Sequence, residues 1–408
     1  MIYQAIIIGG GPAGLMAANV FNENQIKYIL LEKNDKVGKK LLITGGGRAN
    51  VTNTLSVQNF IDELDFKHKK FLYPSLTKFG PLDIIDFFLS KGVKLKLEEP
   101  IKYFPETNKS QSVLDALLDS IPENCIHLKE NVISIEKDKS LFTIKTNKYA
   151  YQSEHIVVAT GSKSFPETGS NGDGNAFASK FGIATKSFTP AETSIYGYID
   201  QIPYQSLKGT QIKDSILYIN GKKTPFKDDL IFTHFGLSGP LIYKASHRIY
   251  NVLKQGKRQI SFPLTKMNQS EILAFFDKHK NETKYVKNIL SSIIPNKLAS
   301  YIVDKSNYQE KAFNTLTKKD IQILVEYICD FKVNISHVED IKRAYVNAGG
   351  VDTKSINPNS FQTNQVKNLY FVGEAIDIFG PIGGFNITMA LSTAYSAAND
   401  IVKKMKLK

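Results

Sequence analysis

The stretch that decides the fold lies at the start of the chain, where residues 3–32 read YQAIIIGGGPAGLMAANVFNENQIKYILLE. Residues 3–8 form an apolar run, which predicts a buried strand. A glycine-rich turn follows at 9–14, then a small-residue helix at 15–22 and a second apolar strand at 28–31. This order predicts a βαβ unit at the N-terminus.

Within the turn, Gly9, Gly11 and Gly14 form a GxGxxG pattern between the strand and the helix. The first glycine permits a tight turn, the second lets a pyrophosphate approach the backbone, and the third lets the helix pack on the sheet. Glu32 ends the second strand, where its carboxylate would bind a ribose hydroxyl and repel the extra phosphate of NADP. The pattern predicts a dinucleotide without separating NAD from FAD, and a purely structural glycine turn is the weaker alternative.

A second glycine-rich segment, residues 38–53, reads GKKLLITGGGRANVTN. Its three consecutive glycines are flanked by Lys40, Arg48 and Asn50, which suits a backbone that surrounds an extended anionic ligand carrying a ring. A flexible loop is the alternative interpretation. Arg48 could bind an anionic substrate or the cofactor pyrophosphate, and we favour the cofactor.

Two later segments show the same small-residue character at strand ends. Residues 159–161 (Ala-Thr-Gly) end an apolar strand, where small residues let the chain pass close to a dinucleotide. Near the C-terminus, a predicted strand at 369–372 leads into Gly373-Glu374, and Gly383-Gly384 opens the last helix. The positive end of that helix would stabilise negative charge on a ligand.

The bulk composition describes a globular chain of 408 residues with 42% hydrophobic and 22% charged residues, enough for two or three domains. The formal net charge of +13 comes from scattered lysines and does not favour a nucleic-acid partner. Cys125 and Cys329 form no CxxC pair, so we predict neither a redox dithiol nor a metal site. With no long apolar run, we expect a cytoplasmic protein without membrane contact.

Changes in the sequence pattern predict three domains in an α/β fold. A Rossmann-like domain is expected from residues 1–188 and 345–408. A β-rich inserted domain is expected from 189–265 and 332–344, and a helical subdomain from 266–331.

Local signals support these assignments. Asn220-Gly221 is typical of a tight hairpin turn, and Thr317 with Asp320 resembles a capping box. Apolar residues at helical spacing predict amphipathic helices over 286–293 and 321–328.

At this point the sequence resembles the FAD-dependent flavoproteins that include aminoacetone oxidase and the BaiN-like and YhiN-like proteins. Beyond the segments above, the resemblance rests on Phe104-Pro105, residues 166–174, residues 232–240 (FTHFGLSGP) and residues 349–351. It covers essentially the whole chain. It implies an FAD-binding Rossmann-like domain interrupted by a β-barrel-like domain and a small helical domain.

The resemblance and the local patterns together assign a set of residues to FAD. These are Gly9, Gly11, Pro12, Ala13, Gly14, Glu32, Lys33, Lys40, Thr44, Gly46, Gly47, Arg48, Asn50, Val132, Ala159, Thr160, Gly161, Gly373, Glu374, Asp377, Gly383, Gly384, Phe385, Asn386 and Ile387. Val132 could equally be a core residue of a strand. The sequence departs from the family at Ala49, where a cysteine is common, and at Ile101-Lys102, where Gly-Arg is usual.

His234 is the candidate acid–base residue, because it lies in a polar loop of the inserted domain. A hydrogen-bonded structural histidine is the alternative.

The leading functional prediction is an FAD-dependent oxidoreductase that passes hydride between a small organic substrate and the flavin. NAD(P)H, docking transiently, or O2 is the candidate second substrate, since no second dinucleotide-binding unit is present. Family members suggest either oxidation of an amino ketone or reduction of an unsaturated compound, so the direction stays open. The alternatives are a flavin-dependent RNA-modifying protein, for which suitably placed cysteines are missing, and a non-catalytic FAD-binding protein. The oligomeric state is left open.

Overall fold

The structure is a computed structural model that describes residues 2–98, 100–198 and 204–407. It divides into two compact units, the first formed by Met1–Thr189 with Ile341–Lys408 and the second by Pro190–Asp340. The segment expected to form a separate helical subdomain belongs to the second unit. The finer three-domain division stays a prediction.

The strands of both units are numbered in chain order. They are β1 (Ile2–Ile8), β2 (Tyr28–Glu32), β3 (Thr52–Asn53), β4 (Leu95–Glu98), β5 (Lys102–Pro105), β6 (Ile126–Leu128), β7 (Val132–Asp138), β8 (Leu141–Thr146), β9 (Ala150–Val158), β10 (Thr185–Ala191), β11 (Ile195–Tyr198), β12 (Gln211–Ile219), β13 (Lys222–Phe232), β14 (Gly236–Ser238), β15 (Gln259–Phe262), β16 (Phe331–Val338), β17 (Val346–Val351) and β18 (Leu369–Phe371).

The α-helices are numbered in the same way. They are α1 (Pro12–Glu23), α2 (Lys39–Ile43), α3 (Val57–Glu63), α4 (Tyr73–Lys78), α5 (Pro81–Ser90), α6 (Ser110–Leu118), α7 (Asp173–Lys180), α8 (Pro240–Leu253), α9 (Gln269–His279), α10 (Val286–Leu290), α11 (Asn296–Lys305), α12 (Lys318–Cys329) and α13 (Phe385–Lys406). Among the described residues, none of these helices has the length and apolarity needed to cross a membrane.

The first unit is built on a mixed sheet with the strand order β6-β2-β1-β9-β8-β7, and β18 also pairs with β9. Strand β1 is parallel to β2 and β9, whereas β8 is antiparallel to β7 and β9. The parallel part is the Rossmann-like sheet that the N-terminal pattern predicts. The α/β fold class is therefore confirmed.

Burial explains why the N-terminal segment folds as a strand, a turn and a helix. Residues Ala5–Ile8 of β1 are buried, because strands on both sides and helices on the faces enclose them. Pro12 lies at the first position of α1, where its missing N–H leaves no hydrogen bond unmade. Helix α1 also packs against α13, so the two ends of the chain share one core.

The second unit contains a closed barrel with the strand order β11-β14-β13-β12-β15-β16. Closure leaves its strands without an open edge. The hairpin between β12 and β13 turns at Asn220 and Gly221, with φ of 49° and 74°, as the dipeptide predicts. The expected β-barrel-like architecture is confirmed.

The helices of the second unit follow the sequence patterns with one difference. The capping box of α12 is present, with Thr317 accepting a hydrogen bond from the amide of Asp320 and the Asp320 carboxylate accepting one from the amide of Thr317. The helix predicted over 286–293 ends earlier, at Leu290. Beyond Leu290 the amides of Ser292 and Ile293 bond to carbonyls three residues back, so the chain continues in tighter turns until Pro295, the N-cap of α11.

Candidate functional site

The glycine turn between β1 and α1 leaves space at the start of the helix. Gly9 has φ of +105°, and Gly14 could not carry a side chain because its Cβ would lie 1.9 Å from the Gly9 carbonyl oxygen. A Cβ at Gly11, by contrast, would meet no heavy atom within 4 Å. Gly11 is the N-cap of α1, and no side chain caps this end. The open backbone at a helix N-terminus fits an anionic group such as a pyrophosphate.

Glu32 lies beside this turn, as expected. Its buried carboxylate accepts a hydrogen bond from the Gly10 amide at 2.8 Å and two from Asn34, at 2.8 and 2.7 Å. A carboxylate oxygen can accept more than one hydrogen bond, so a ribose hydroxyl could still bind it. The neighbouring Lys33 is paired with Asp173, with 2.6 Å between Nζ and Oδ2.

The end of β9 contributes a buried hydroxyl. Thr160 Oγ1 finds no hydrogen-bond partner within the part of the chain that the structure describes. Ala159 before it is buried, and Gly161 after it has φ of +72° and would place a Cβ 2.8 Å from Ser170 Oγ. A buried hydroxyl without a partner costs free energy unless a ligand or water binds it, so this end of the strand also fits a polar ligand.

A polar cluster centred on Lys40 lies next to Gly161. Lys40 Nζ lies 2.5 Å from Glu374 Oε2, 3.1 Å from Ser164 Oγ and 3.2 Å from Ser170 Oγ. Ser162 Oγ donates to the same Glu374 oxygen at 3.0 Å. Sequence analysis selected Lys40 and Glu374 separately but assigned no site role to the three serines. Ser170 does lie in segment 166–174, which carries part of the family resemblance.

The glycine triplet forms a turn with positive φ values, which residues that carry a side chain rarely adopt. Gly45, Gly46 and Gly47 have φ of +57°, +67° and +84°, and a Cβ at Gly46 would meet nothing within 4 Å. Thr44 begins the turn and donates its hydroxyl to the Leu41 carbonyl at 2.7 Å. The triplet therefore presents backbone to open space, as a loop around a ligand should.

Arg48, which follows the triplet, is engaged within its own neighbourhood. Its guanidinium donates to Glu98 and to Asn108, the latter at 2.7 Å, and lies 4.2 Å from the centre of the Phe104 ring. The hydrogen bond from Arg48 holds the pKa of the Glu98 carboxyl below its ordinary value. The structure thus gives Arg48 a role in holding the loop to β4 and β5. Its contact with the cofactor stays a prediction.

The residues after the triplet hold the start of α13. A Cβ at Gly384 would lie 2.4 Å from the Thr52 carbonyl oxygen, so only glycine fits this approach. Asn53 Nδ2 donates to the Gly383 carbonyl at 3.2 Å. With its amide oriented to satisfy both atoms, Asn50 accepts a hydrogen bond from the Gly384 amide at 3.2 Å. The two glycine-rich segments predicted to surround the ligand are therefore in direct contact.

Asn386 and Phe385 fix the loop that opens α13. Asn386 accepts a hydrogen bond from the Gly380 amide at 3.0 Å and donates to the Gly380 carbonyl at 2.8 Å. The Phe385 ring packs 4.6 Å from that of Phe60, while Ile387 is half-buried in the first turn. No side chain caps this helix N-terminus. Its amides therefore suit a group that gains negative charge.

Asp377 and Gly373 make contacts that support the fold. Asp377 accepts a hydrogen bond from the Gly349 amide at 2.9 Å and pairs with Lys186 Nζ at 2.5 Å. Gly373 has φ of +60° and donates its amide to Thr393 Oγ1 at 2.9 Å. Any contact of Asp377 with ribityl hydroxyls would have to share its carboxylate with these partners.

Val132 and His234 are the remaining predicted residues. Val132 is buried at the start of β7, as its alternative interpretation as a core strand residue allows. His234 belongs to the second unit, in the turn between β13 and β14 that is closed by a hydrogen bond from the Gly236 amide to Thr233 Oγ1 at 3.0 Å. The His234 side chain is exposed, and its ring meets Phe235 edge-on at 5.0 Å.

The Rossmann-like sheet, its uncapped glycine turn and the glycine loop against α13 define the class of dinucleotide-binding flavoproteins. The family model described as "HI0933-like protein Rossmann domain" matches residues 3–400, and the chain belongs to this family. It is a flavin-dependent oxidoreductase whose cofactor is FAD.

Relatives that match almost the whole chain include two enzymes with different names. The ribosomal RNA dihydrouridine synthase of Escherichia coli (strain K12) is 27% identical over 98% of this chain and 98% of its own length. The 3-dehydro-bile acid delta(4,6)-reductase of Clostridium scindens is 25% identical over 96% of this chain and 97% of its own.

Among solved structures, the fold resembles that of the 3-ketosteroid-delta4-(5alpha)-dehydrogenase from Rhodococcus jostii RHA1. The TM-score is 0.52 with 12% identity, over 98% of this chain and 97% of that one. At this identity the likeness concerns the fold alone.

Proposed function

We propose that the protein is a reductase that adds hydride to a carbon–carbon double bond conjugated with a carbonyl group. One observation carries this proposal: both of the full-length relatives described above are named for saturating a double bond. Dihydrouridine is uridine with one ring double bond reduced, and a delta(4,6)-reductase acts on double bonds conjugated to a 3-oxo group. The shared reaction favours reduction over the oxidation of an amino ketone.

The residues of the first unit would hold FAD in an extended form. The open turn at Gly11 would bind the pyrophosphate through backbone amides, and Glu32 would bind the ribose of the ADP half. Thr160 Oγ1 would donate its unused hydrogen bond to the same region. Bound there, FAD supplies a carrier that takes up and gives out hydride.

The amides at the start of α13 would lie beside the flavin ring. Gly384 and Asn386 fix this helix start, so its positive end is preorganised before any charge develops. A preorganised set of donors stabilises developing negative charge without reorganisation at the moment of reaction. Lys40 with Glu374 would present hydrogen-bonding groups to the ribityl chain or the phosphates.

His234 remains our proposed proton donor. When one carbon of the double bond takes hydride, the neighbouring carbon must gain a proton, and the exposed imidazole of His234 is the type of side chain that most often transfers protons in enzymes. The electrons would come from NAD(P)H, which we propose as the second substrate.

The substrate class has two candidates. A small conjugated ketone agrees with the bile-acid reductase, whereas a uridine in RNA agrees with the E. coli relative, which matches at 27% identity over the whole chain. The net charge of +13 would attract a polyanion only weakly, because the lysines are scattered, and it does not decide between the two candidates. The missing cysteines count against methyl-transfer chemistry on RNA. Reduction of a ring double bond transfers no methyl group, so their absence does not count against a uridine substrate.

The test is a set of anaerobic mixing experiments on the chemically reduced holoenzyme. We expect the absorbance band of oxidised flavin to return with a uridine-containing RNA or with a conjugated 3-oxo steroid, and the reduced product to appear by mass spectrometry. The His234→Gln variant should slow this return by roughly 100-fold, because general acid catalysis contributes about that factor. His68→Gln serves as the matched control.

Two outcomes would overturn the proposal. If neither unsaturated compound reoxidises the flavin, while aminoacetone bleaches the band of the oxidised holoenzyme, the protein is an oxidase of amino ketones. A band that responds to no compound would favour a non-catalytic FAD-binding protein.

A further inference from the structure

Three aromatic rings form a stacked row on the barrel of the second unit. Tyr196 of β11 lies between Phe235, which precedes β14, and His337 of β16. Its ring centre is 4.4 Å from each of theirs, with interplanar angles of 25° and 14°. We call Phe235, Tyr196 and His337 the aromatic ladder. Its end at His337 is exposed to solvent.

A β-bulge places this end on the surface. Tyr196 is opposite His337 and Gly197 is opposite Ile335, so Ser336 is an extra residue in β16. Ser336 and His337 are both exposed, whereas consecutive residues of a regular strand point to opposite faces. Bulges are frequent where a strand has to redirect a side chain next to a functional site.

Hydrogen bonds fix the orientation of two rings of the aromatic ladder. His337 Nδ1 lies 3.0 Å from Ser336 Oγ, and the Tyr196 hydroxyl donates to Glu339 Oε2 at 2.8 Å. Glu339 is thereby engaged on the protein side, with its other oxygen accepting from the Asp340 amide at 2.9 Å. Rings held in this way lose little conformational entropy when a planar ligand stacks on them.

Positive charge lies beside the exposed end. The Arg258 guanidinium donates to the Ser336 carbonyl at 3.3 Å, and both Arg258 and Lys257 are exposed. On β11, Tyr198 is 42% exposed and points to the same face as Tyr196. Aromatic rings interleaved with cationic side chains are the elements with which proteins bind single-stranded nucleic acids.

We infer that the aromatic ladder and Arg258 together bind single-stranded RNA. A base stacks on the exposed face of His337, and the adjoining phosphate pairs with Arg258. The cationic groups favour a phosphodiester chain over a neutral sugar polymer, which could also stack on aromatic rings. This inference rests on the RNA candidate of the proposed function and gives it a contact surface on the barrel.

The test measures binding without turnover, using oxidised holoenzyme and a fluorescein-labelled 12-residue oligouridylate in an anisotropy titration. His337→Ala should raise Kd roughly tenfold, the loss that removal of one stacking platform produces. Arg258→Gln should raise Kd and reduce the slope of log K against log salt concentration by about one, since one phosphate contact is lost. Tyr285→Ala and Lys284→Gln, in the same unit, should leave both quantities unchanged.

Retention of the flavin spectrum and of the circular dichroism signal will show that each variant is folded. The variant Tyr196→Phe keeps the stacked ring and removes only its hydroxyl group. Kd values equal to the wild type in His337→Ala and Arg258→Gln would overturn the inference and leave the ladder as part of the barrel wall. Displacement of the RNA by a neutral oligosaccharide, with no salt dependence, would also overturn it. Because no electrons are transferred in this assay, its outcome is independent of whether reduction is observed.

Discussion

Gly11 and Gly14 lie three residues apart in one turn, yet a methyl group at each would have opposite consequences. At Gly14 it would collide with the Gly9 carbonyl oxygen, whereas at Gly11 it would enter open space beside the start of α1. Gly11 also has φ of −81°, which any residue can adopt. Gly14 is thus required by the packing of the chain, whereas Gly11 is required by the FAD pyrophosphate that we propose to lie beside the turn.

Gly11→Ala should therefore separate binding from folding. We expect the free energy of unfolding of the apoprotein to change by less than about 0.5 kcal/mol, while the Kd for FAD rises roughly tenfold or more because the methyl group occupies the pyrophosphate space. Gly14→Ala, the comparison variant, should destabilise the apoprotein itself. Urea unfolding and FAD titration measure the two effects. Unchanged FAD affinity in Gly11→Ala would refute the assignment of this space.

The Lys40 cluster makes a second prediction at the residue scale. Lys40→Met would leave the half-buried Glu374 carboxylate without its cation, at a cost of about 1–3 kcal/mol in the free energy of unfolding. Lys39→Met removes the neighbouring lysine, whose partner Asp35 is exposed, and should destabilise the apoprotein less, because an exposed ion pair contributes little. Urea unfolding of both apoproteins provides the comparison, and equal losses would contradict a special role for the cluster.

At the scale of the elements, the N-termini of the helices differ in whether a side chain caps them. The start of α13 is shaped by close backbone approach and by Asn386, and it is left without a side-chain cap. The start of α12 is closed by its capping box. An uncapped start can receive a ligand, whereas a capped one stabilises the fold.

The capping box predicts a pH dependence. The Tyr308 hydroxyl at 2.5 Å and the Thr317 amide at 2.8 Å both donate to Asp320, and they hold its pKa well below the ordinary value. Burial, together with the same contact to Asp320, raises the pKa of Tyr308 to about 12. Since the carboxyl pKa is lowered on folding, its stabilising contribution is complete above the unfolded value of about 3.9 and is lost as the pH falls through the folded value.

Asp320→Asn should accordingly cost about 1 kcal/mol at pH 7, the usual worth of a helix cap, and the difference from wild type should shrink as the pH falls below about 4. Urea unfolding between pH 7 and pH 3 measures it. Asp304→Asn, at an exposed position of α11, removes the same formal charge from the same unit as a control. A difference that stays constant with pH would contradict the assignment.

At the scale of the whole molecule, the first unit is assembled from both ends of the chain, and the second is continuous. All the proposed FAD contacts belong to the first unit, whereas the proposed proton donor, His234, belongs to the second. A ligand that binds the native state stabilises it by mass action.

Removal of FAD should therefore lower the thermal unfolding temperature, and added FAD should restore it in proportion to the logarithm of its concentration. When the free FAD concentration is one thousand times Kd, binding stabilises the native state by about 4 kcal/mol. Hydrogen exchange of the apoprotein should show lost protection in peptides covering 9–14, 44–50 and 383–387, with barrel peptides 211–232 as internal reference. Unchanged protection in the first three would contradict the proposed binding segments.

The sequence by itself determined the βαβ unit, the α/β class, the hairpin at Asn220-Gly221 and the capping box of α12. Each depends on residues close together in the chain, where periodicity, glycine and capping patterns act directly on the local backbone. The same patterns selected both halves of the pair between Lys40 and Glu374, although not their contact. They overestimated one helix, because apolar spacing does not distinguish a helix from the tighter turns that follow Leu290.

Only the tertiary structure decided which residues meet. Lys40 and Glu374 are 334 positions apart, and Arg48 contacts Glu98 across 50. The aromatic ladder likewise depends on a one-residue bulge that sets the register between β11 and β16. The contacts of Lys40 and Arg48 follow from how distant parts of the chain cross, and those of the aromatic ladder follow from strand register. The local sequence does not fix that register, because a shift by one residue would turn Tyr196 or His337 to the other face of its strand.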